Sequence, residues 1–365
     1  MGVSGVNIQD ILAAISVLIN GIPAGLYAMS FGFAAVPTAI GFAVGVIGCG
    51  LFGLVTPISF QAETITLAGT LGKSPQERFS IIFLEGAILL AVGLLGFFQA
   101  LVTFIGPVIT SGMMAGVGII LARVAVEMVR RRPVVGAVSV LSALAAYYIT
   151  PNPGDKLVYT IVVSVILTSV VETLWFRSEQ QAGAVTKERF VLQKLVMNRN
   201  IVRGALAICA LNVGANIAFG SITAKTLANS EVNLDHLTIV SSLADMGSAL
   251  FGGGPVQAII SATGAAPHPL WSALAMMAMM ALLLLSGMLP RLGRYVSGES
   301  IAGFLLVLGA IVTVPANAAL ALQGGIGSAG SVIGGVTLAV TAVTDPFIGM
   351  LSGLCVQWLL SVFSL

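Results

Sequence analysis

Residues 244–269 read ADMGSALFGGGPVQAIISATGAAPHP, and residues 56–72 read TPISFQAETITLAGTLG. Each stretch is an apolar segment that is interrupted by a proline, Pro255 or Pro57, and followed by amide and hydroxyl side chains. Lipid cannot satisfy the backbone groups that such a break exposes, so broken segments in a membrane face protein or a water-filled cavity. Two such segments at matching places in two halves of a chain indicate a solute-binding site.

The composition around these stretches is that of a membrane protein. Of the 365 residues, 57% are hydrophobic and only 8% are charged, whereas soluble domains carry about 25% charged residues. The mean hydropathy is +1.05. Sixteen basic and fourteen acidic side chains cannot cover a water-facing surface of this length. This excludes a soluble enzyme, a nucleic-acid-binding protein and a disordered chain.

Apolar runs long enough to cross a bilayer follow one another along most of the chain, and hydropathy predicts about 12 to 14 crossings. A charged linker at residues 177–200 divides the chain into a first membrane repeat, 1–176, and a second, 201–365. Within the linker, residues 190–196 form either a short amphipathic helix on the membrane surface or part of a plain charged connection.

Two landmarks repeat in the same order in both halves, an LFG triplet before a proline and, later, the triplets at residues 114–116 and 301–303 that open apolar runs. The triplet LFG at residues 51–53 is followed by Pro57 and a polar patch, and the same triplet at 250–252 is followed by Pro255 and a polar patch. We therefore predict that each repeat contributes one broken segment to a common site.

The side chains beside the breaks suit a small polar solute. Amides and hydroxyls both donate and accept hydrogen bonds, which fits a neutral or weakly acidic polar ring. An aromatic side chain can stack on such a ring, and half-helix N-termini add positive dipole ends. The predicted substrate-binding residues are Ser59, Phe60, Gln61, Glu63, Gln257, Ala258, Ser261 and Thr263.

The two quoted stretches resemble the nucleobase–cation symporters, which include the xanthine/uracil and guanine/hypoxanthine permeases. Residues 244–269 are similar to the tenth segment of that family, in which a Gly-rich helix end precedes a Pro-Val pair, an extended segment and a half-helix. Residues 56–72 are similar to the matching third segment. The resemblance implies an all-α fold of about fourteen transmembrane segments in two inverted repeats of seven, whose two extended segments meet at the midplane. It also implies core and gate domains drawn from both repeats, elevator-like movement and a homodimer.

Two acids of the resembled family have no counterpart here. The family's eighth segment commonly carries an acidic residue that binds the base, and the matching residues 210–216 offer Asn212 and Asn216 instead. The Glu that often follows the extended part of the tenth segment falls on Ile260 or Ser261. The resemblance therefore adds Asn212 and Asn216 to the predicted site and leaves ion coupling to other residues.

Charged side chains at membrane depth are costly and are therefore candidates for function. Glu63 lies in a segment that is expected to line the cavity, so it is the predicted proton carrier. Asp245, before the Gly-rich break, is the second predicted coupling residue, and Glu85 lies in an apolar run without an evident partner. Coupling to H⁺ or Na⁺ requires no cofactor. The scattered cysteines and histidines lack metal-ligand spacing, so we expect no metal site.

We therefore expect a secondary active transporter that moves a purine or pyrimidine base, or a related small polar ring, with ion coupling. The same fold also serves the SulP-type anion transporters, so the alternative is a carrier of a small anion such as sulfate, bicarbonate or carboxylate. A channel is a third possibility, although no filter is readable. No catalytic fingerprint occurs in a supporting context, so we expect no enzyme and no nucleic-acid partner. The expected location is a bacterial inner (plasma) membrane, as a multi-pass protein in contact with lipid.

The distribution of basic residues predicts an orientation. Under a count of fourteen segments, most loop Lys and Arg residues follow odd-numbered segments, and only Lys156 and Lys225 follow even-numbered ones. Because basic residues crowd cytoplasmic loops, this bias places both termini outside. The resembled family has both termini inside.

Overall fold

The structure is a computed structural model that describes residues 7–151, 156–175, 188–292, 297–325 and 327–362. It is a multi-pass bundle of mostly apolar helices, whose backbone hydrogen bonds are made largely within each segment, as lipid requires. Five of the described helices are long and apolar enough to cross a membrane, namely Ile8–Ser30, Ala35–Phe52, Phe98–Arg131, Arg199–Lys225 and Glu299–Ala321.

The first repeat contains one short strand among seven helices. In chain order the elements are α1 (Ile8–Ser30), α2 (Ala35–Phe52), β1 (Ile58–Ser59), α3 (Ala62–Leu71), α4 (Pro75–Leu94), α5 (Phe98–Arg131), α6 (Pro133–Ile149) and α7 (Lys156–Trp175). Helix α5 is kinked at Gly106, whose φ is +76°, because Pro107 follows and cannot donate a helical hydrogen bond.

The second repeat has the same order with more irregular turns. Its elements are α8 (Arg199–Ser221) with a π-helical turn (Ile222–Leu227), α9 (Leu234–Leu250), β2 (Gln257–Ala258), a 3₁₀ turn (Ala262–Ala265), α10 (Pro269–Leu285), α11 (Met288–Leu292), a 3₁₀ turn (Gly298–Ile301), α12 (Ala302–Leu306), a π-helical stretch (Val307–Thr313), α13 (Val314–Ala321), α14 (Ala329–Val343) and α15 (Pro346–Val362).

Fourteen segments result when each break and its following turn or helix are counted as one, α10 with α11 as one, and α12 to α13 as one. The packing of these segments follows the repeat. Helix α4 packs on α9, and its counterpart α10 packs on α2. Helix α6 packs on α7 in the same way as α14 packs on α15. The predicted arrangement of two inverted repeats of seven is therefore confirmed.

The two breaks meet as a two-stranded antiparallel pair. Ile58 lies opposite Ala258, and Ser59 lies opposite Gln257. Next to this pair, the Ile259 backbone N–H donates to the carbonyl of Pro57 at 3.3 Å. Each break thus satisfies backbone groups of the other, which lipid could not do. The predicted meeting of two extended segments is confirmed.

The described part of the linker between the repeats has no regular secondary structure before α8. Residues 190–196 form no helix, so the amphipathic-helix alternative is wrong for them. The side chain of Glu188 accepts a hydrogen bond of 2.6 Å from the backbone N–H of Val36, at the start of α2. Residues 176–187 of the predicted linker lie outside the described residues, and α8 begins at Arg199, just before the predicted start of the second repeat.

Candidate functional site

A cavity of about 400 Å³ lies beside the paired breaks. Its polar wall comes from the first break and carries four of the predicted site residues, namely Ser59, Phe60, Gln61 and Glu63. Most of the remaining lining is apolar and comes from α1, α5, α7, α8 and the segment from α12 to α13. No Lys or Arg is among the described residues that line it.

The polar wall ends in the N-terminus of α3. Gln61 is the N-cap residue, but its side chain makes no capping hydrogen bond to the first turn. Its amide nitrogen donates instead to the carbonyl of Ala258, 3.1 Å away. Gln61, Ala62 and Glu63 all line the cavity, so the positive end of the α3 dipole faces it. The carboxyl group of Glu63 reaches its own backbone N–H in this turn.

Two polar atoms of the cavity lining have no hydrogen-bond partner among the described residues, the side-chain oxygens of Asn20 and Ser59. A buried oxygen without a partner costs about 1–3 kcal/mol, so Asn20 Oδ1 is suited to a donor on a bound solute or a water, whereas the Ser59 hydroxyl can also donate to an anion. Asn20, on α1, was missed by the sequence analysis. A lone amide within an apolar helix was the signal that could have identified it.

Phe60 is held by its neighbours. Its ring makes an edge contact with the ring of Phe42, with centroids 5.4 Å apart. A Cβ atom on Gly25 would lie 2.9 Å from the Phe60 ring, so this glycine gives the ring its space against α1. The aromatic side chain is therefore fixed at the cavity edge and is only 6% exposed.

The second break supports the polar wall from behind. The Gln257 amide nitrogen donates to Asp245 Oδ2 at 2.6 Å, and the Val256 backbone N–H donates to Asp245 Oδ1 at 2.6 Å. Asp245 thus orients the extended segment. Gln257 is not among the residues that line the cavity, whereas Ile259 and Ile260 are.

The other predicted residues of the second repeat also lie behind the lining. The Ser261 hydroxyl accepts from the Thr263 backbone N–H at 3.2 Å and caps the 3₁₀ turn. The backbone of Ala258 pairs with β1. The Asn216 amide donates to the Thr238 hydroxyl at 3.1 Å. These residues therefore lie near the breaks, and their hydrogen bonds are to other protein groups.

Asn212 joins the polar wall to α4. Its amide nitrogen donates to Glu85 Oε1 at 2.8 Å, and its oxygen accepts from the Thr64 hydroxyl at 3.2 Å. The same hydroxyl also contacts the Gln61 side-chain oxygen. A hydrogen-bonded chain therefore runs from the cavity wall to the carboxyl group of Glu85.

No protein-family model and no curated protein matches this sequence. Solved structures, however, define the class of fold, which is that of the transmembrane domains of anion transporters. The transmembrane domain of a cyanobacterium bicarbonate transporter, BicA, superposes with a TM-score of 0.70 at 15% identity, over 95% of this chain and 97% of that one.

Two structures of Solute Carrier 26 family member A9 match as well. The murine anion transporter in its inward-facing state has a TM-score of 0.71 at 14% identity, over all of this chain and 70% of that one. A second structure, of SLC26A9, gives 0.71 and 14%, with 66% of that chain covered. The fold expected through the SulP-type transporters is thereby confirmed. None of these three structures is described as a nucleobase transporter.

Proposed function

We propose that this protein is a secondary active transporter that carries a small anion across the membrane. The observation that carries the proposal is the N-terminus of α3, which receives no cap from Gln61 and faces a cavity beside the paired breaks. Backbone N–H groups at a helix N-terminus bind anions without a basic side chain. The names of the three solved structures support an anion over a nucleobase.

The charges of the cavity favour an anion of a single charge. The lining contributes the carboxyl group of Glu63 and no basic side chain. A divalent anion such as sulfate doubles both the attraction to the helix end and the repulsion from Glu63, whereas the cost of taking it out of water rises with the square of its charge and no basic side chain offsets that cost. Among the anions considered, carboxylate and bicarbonate therefore fit better than sulfate.

The apolar lining favours a carboxylate with a hydrocarbon part. The walls opposite the first break include Met114, Phe304 and Leu308. Burial of hydrocarbon against such side chains contributes roughly 25 cal/mol per Å². We therefore propose an organic monocarboxylate as the leading substrate and bicarbonate as the next.

A nucleobase remains the second candidate, on one observation. Gln61 and Glu63 present an amide and a carboxyl group beside the ring of Phe60 at the same cavity wall. Such a wall can pair with the N–H and C=O edge of a neutral ring. The two candidates predict opposite effects of the Glu63 charge on substrate binding, because an anion is repelled by it whereas a ring N–H is attracted by it.

The proposed function includes a mode of transport in which one group of segments moves against another. One group of segments, α1 to α4 with α8 to α11, carries both breaks, and the other, α5 to α7 with α12 to α15, supplies the facing apolar wall. We propose that the first group is a core domain that moves against the second, a gate domain, in an elevator-like manner. A homodimer in a bacterial plasma membrane completes the proposal.

A ligand screen tests the proposed substrate class. The purified protein would be heated in the presence of short monocarboxylates, bicarbonate, sulfate, uracil or guanine. A ligand at 100 times its Kd stabilises the folded state by about 2.7 kcal/mol, so a monocarboxylate should raise the Tm most. Counterflow of that ligand in proteoliposomes then tests transport. Stabilisation by bases alone would replace the anion with a nucleobase.

A further inference from the structure

Two carboxyl groups meet in the interior, away from the cavity. Glu85 of α4 and Asp245 of α9 are both 0% exposed. The two helices are in close contact here, since a Cβ atom on Gly86 would lie 2.9 Å from the carbonyl oxygen of Ser242. A Cβ atom on Gly86, next to Glu85, would also lie 3.5 Å from the backbone nitrogen of Met246, next to Asp245, and the two carboxyl groups interact with each other. They lie 160 residues apart in the sequence and touch only because α4 packs on α9.

The other groups around the pair donate hydrogen bonds and carry no positive charge. Val256 and Gln257, from the second break, donate to Asp245, and Asn212, from α8, donates to Glu85. The described electrostatic partners of the pair include no Lys, Arg or His. The remaining titratable neighbour is the thiol of Cys209, whose sulfur lies 3.7 Å from the backbone carbonyl of Glu85.

Two carboxylates in contact without a cation cannot both be ionised in a dry interior. A proton between them removes the repulsion and supplies the missing hydrogen bond, as it does in carboxyl dyads. A second observation points the same way. Glu85 Oε2 and the side-chain oxygen of Gln257, a residue that is 1% exposed, have no donor among the described residues. The site is thus rich in acceptors and lacks a donor.

A proton fits this site better than a metal cation. Both oxygens of Asp245 already accept from N–H groups at 2.6 Å, and Glu85 Oε1 accepts from Asn212 at 2.8 Å. A metal ion would have to displace these donors to gain its oxygen ligands. A proton requires only the oxygen that is still free.

The pair is connected to both breaks. Glu85 is joined through Asn212 and Thr64 to Gln61, which lines the cavity. Asp245 is bonded to Gln257, whose backbone lies opposite Ser59 in the strand pair. A change in the charge of the pair therefore alters the hydrogen bonds that hold the polar wall of the cavity.

We propose that the Glu85–Asp245 pair is a proton-binding site and that it couples transport to H⁺. Adding a proton to the pair removes a negative charge behind the cavity, so the anion binds more tightly to the protonated protein. By linkage, the proton also binds more tightly when the anion is bound. The result is symport of H⁺ with the anion. The coupling half of the proposal rests on the proposed function, whereas the proton-binding half does not.

Infrared spectroscopy tests the proton-binding half without transport. The purified wild-type protein at neutral pH should show the carbonyl stretching band of a protonated carboxyl group. Glu85→Gln and Asp245→Asn should each remove it, because one carboxylate alone has no proton to share. Glu63→Gln is the matched control and should retain the band. A wild-type protein without the band, or a band lost only in Glu63→Gln, would overturn the proposal.

Proteoliposomes test the coupling half. At equal pH on both sides, Glu85→Gln and Asp245→Asn should still exchange the anion. Under an imposed pH gradient, the wild type should accumulate it, whereas the two pair variants should reach only the equilibrium level. If Asp245→Asn fails to fold, since Asn cannot accept from both Val256 and Gln257 as a carboxylate does, Glu85→Gln alone carries the test.

The outcomes separate the two proposals. A wild type that exchanges no anion, but keeps the infrared result, removes the proposed function and leaves the proton site. Unchanged pH-driven accumulation in Glu85→Gln overturns the coupling role. Accumulation that follows a sodium gradient instead of a pH gradient overturns it as well.

Discussion

The side-chain amide nitrogen of Gln61 donates to the backbone carbonyl oxygen of Ala258, 3.1 Å away, although the two residues are 197 positions apart in the chain. Together with the strand pair, this bond fastens the first break to the second. A solute bound at the N-terminus of α3 therefore keeps a fixed position relative to both repeats. The two breaks must be joined in this way if they are to move as one body.

Removal of the Ser59 hydroxyl should weaken substrate binding without loss of folding. Its oxygen has no partner among the described residues, so Ser59→Ala breaks no hydrogen bond within them. A hydrogen bond to the substrate contributes about 0.5–1.5 kcal/mol, so the Kd should rise roughly two- to tenfold. Ligand titration followed by thermal unfolding measures both quantities.

Ser80→Ala is the matched control for this measurement. Its hydroxyl donates to the Gln76 carbonyl and accepts from the Val196 N–H, away from the cavity. This variant should lower the Tm and leave the Kd unchanged. An unchanged Kd in Ser59→Ala would show that the substrate does not contact this wall.

Neutralisation of Glu63 should strengthen the binding of an anion. A like charge about 6 Å away contributes at most roughly 3 kcal/mol at an effective dielectric constant of 20, so Glu63→Gln should lower the Kd of a monocarboxylate several-fold at neutral pH. The gain should vanish at low pH, where the wild-type carboxyl group is itself protonated. Binding titrations over a pH series provide the test. Weaker binding in Glu63→Gln at every pH would instead indicate a neutral ring that uses Glu63 as an acceptor.

Asp345 should stabilise the protein through two separable contacts. Its Oδ2 accepts from Arg203 of α8 at 2.7 Å, and its Oδ1 accepts from the Ile348 N–H at the start of α15 at 2.9 Å. Asp345→Asn keeps a good N-cap and loses the ion pair, whereas Asp345→Ala loses both. The Ala variant should therefore be about 1 kcal/mol less stable than the Asn variant. Equal losses in denaturation experiments would contradict the capping role.

The orientation predicted from the basic residues can be measured by labelling. Lys194 and Lys225 are exposed and lie near opposite ends of α9. In a Cys355→Ser background, where the remaining cysteines are buried, an impermeant maleimide should leave Lys194→Cys unreactive on intact cells and label Lys225→Cys. The reverse pattern would place both termini inside the cell.

The broken segments were predictable from sequence because their cause is local. Proline and glycine interrupt a helix wherever they stand, and lipid forces the exposed backbone groups to find each other. The direction of individual side chains was not predictable to the same degree. Glu63 lines the cavity while its neighbour Thr64 bonds to Asn212 behind it, a difference of one residue that only the rotation of α3 decides.

Long-range pairing limited the rest of the site prediction. From the sequence, Asp245 is predicted to be a coupling residue, and Glu85 has no evident partner. The contact between them could not be predicted, because it depends on how α4 lies against α9. Asn212 entered the predicted site as a substrate ligand by resemblance, and the structure gives it protein partners on both sides. Such contacts follow from tertiary packing, which no local pattern encodes.

The unequal ends of the two breaks bear on how substrate preference evolves. The 3₁₀ turn after β2 is capped by the side chain of Ser261, whereas the N-cap residue of the ten-residue α3, Gln61, makes no capping hydrogen bond. The residues predicted to contact the substrate are thereby concentrated at a few consecutive positions of the first repeat. The second repeat mainly supports them. A directed-evolution library restricted to positions 59, 60, 62 and 63, which keeps the bond from Gln61 to Ala258, should therefore change selectivity with little loss of folded protein.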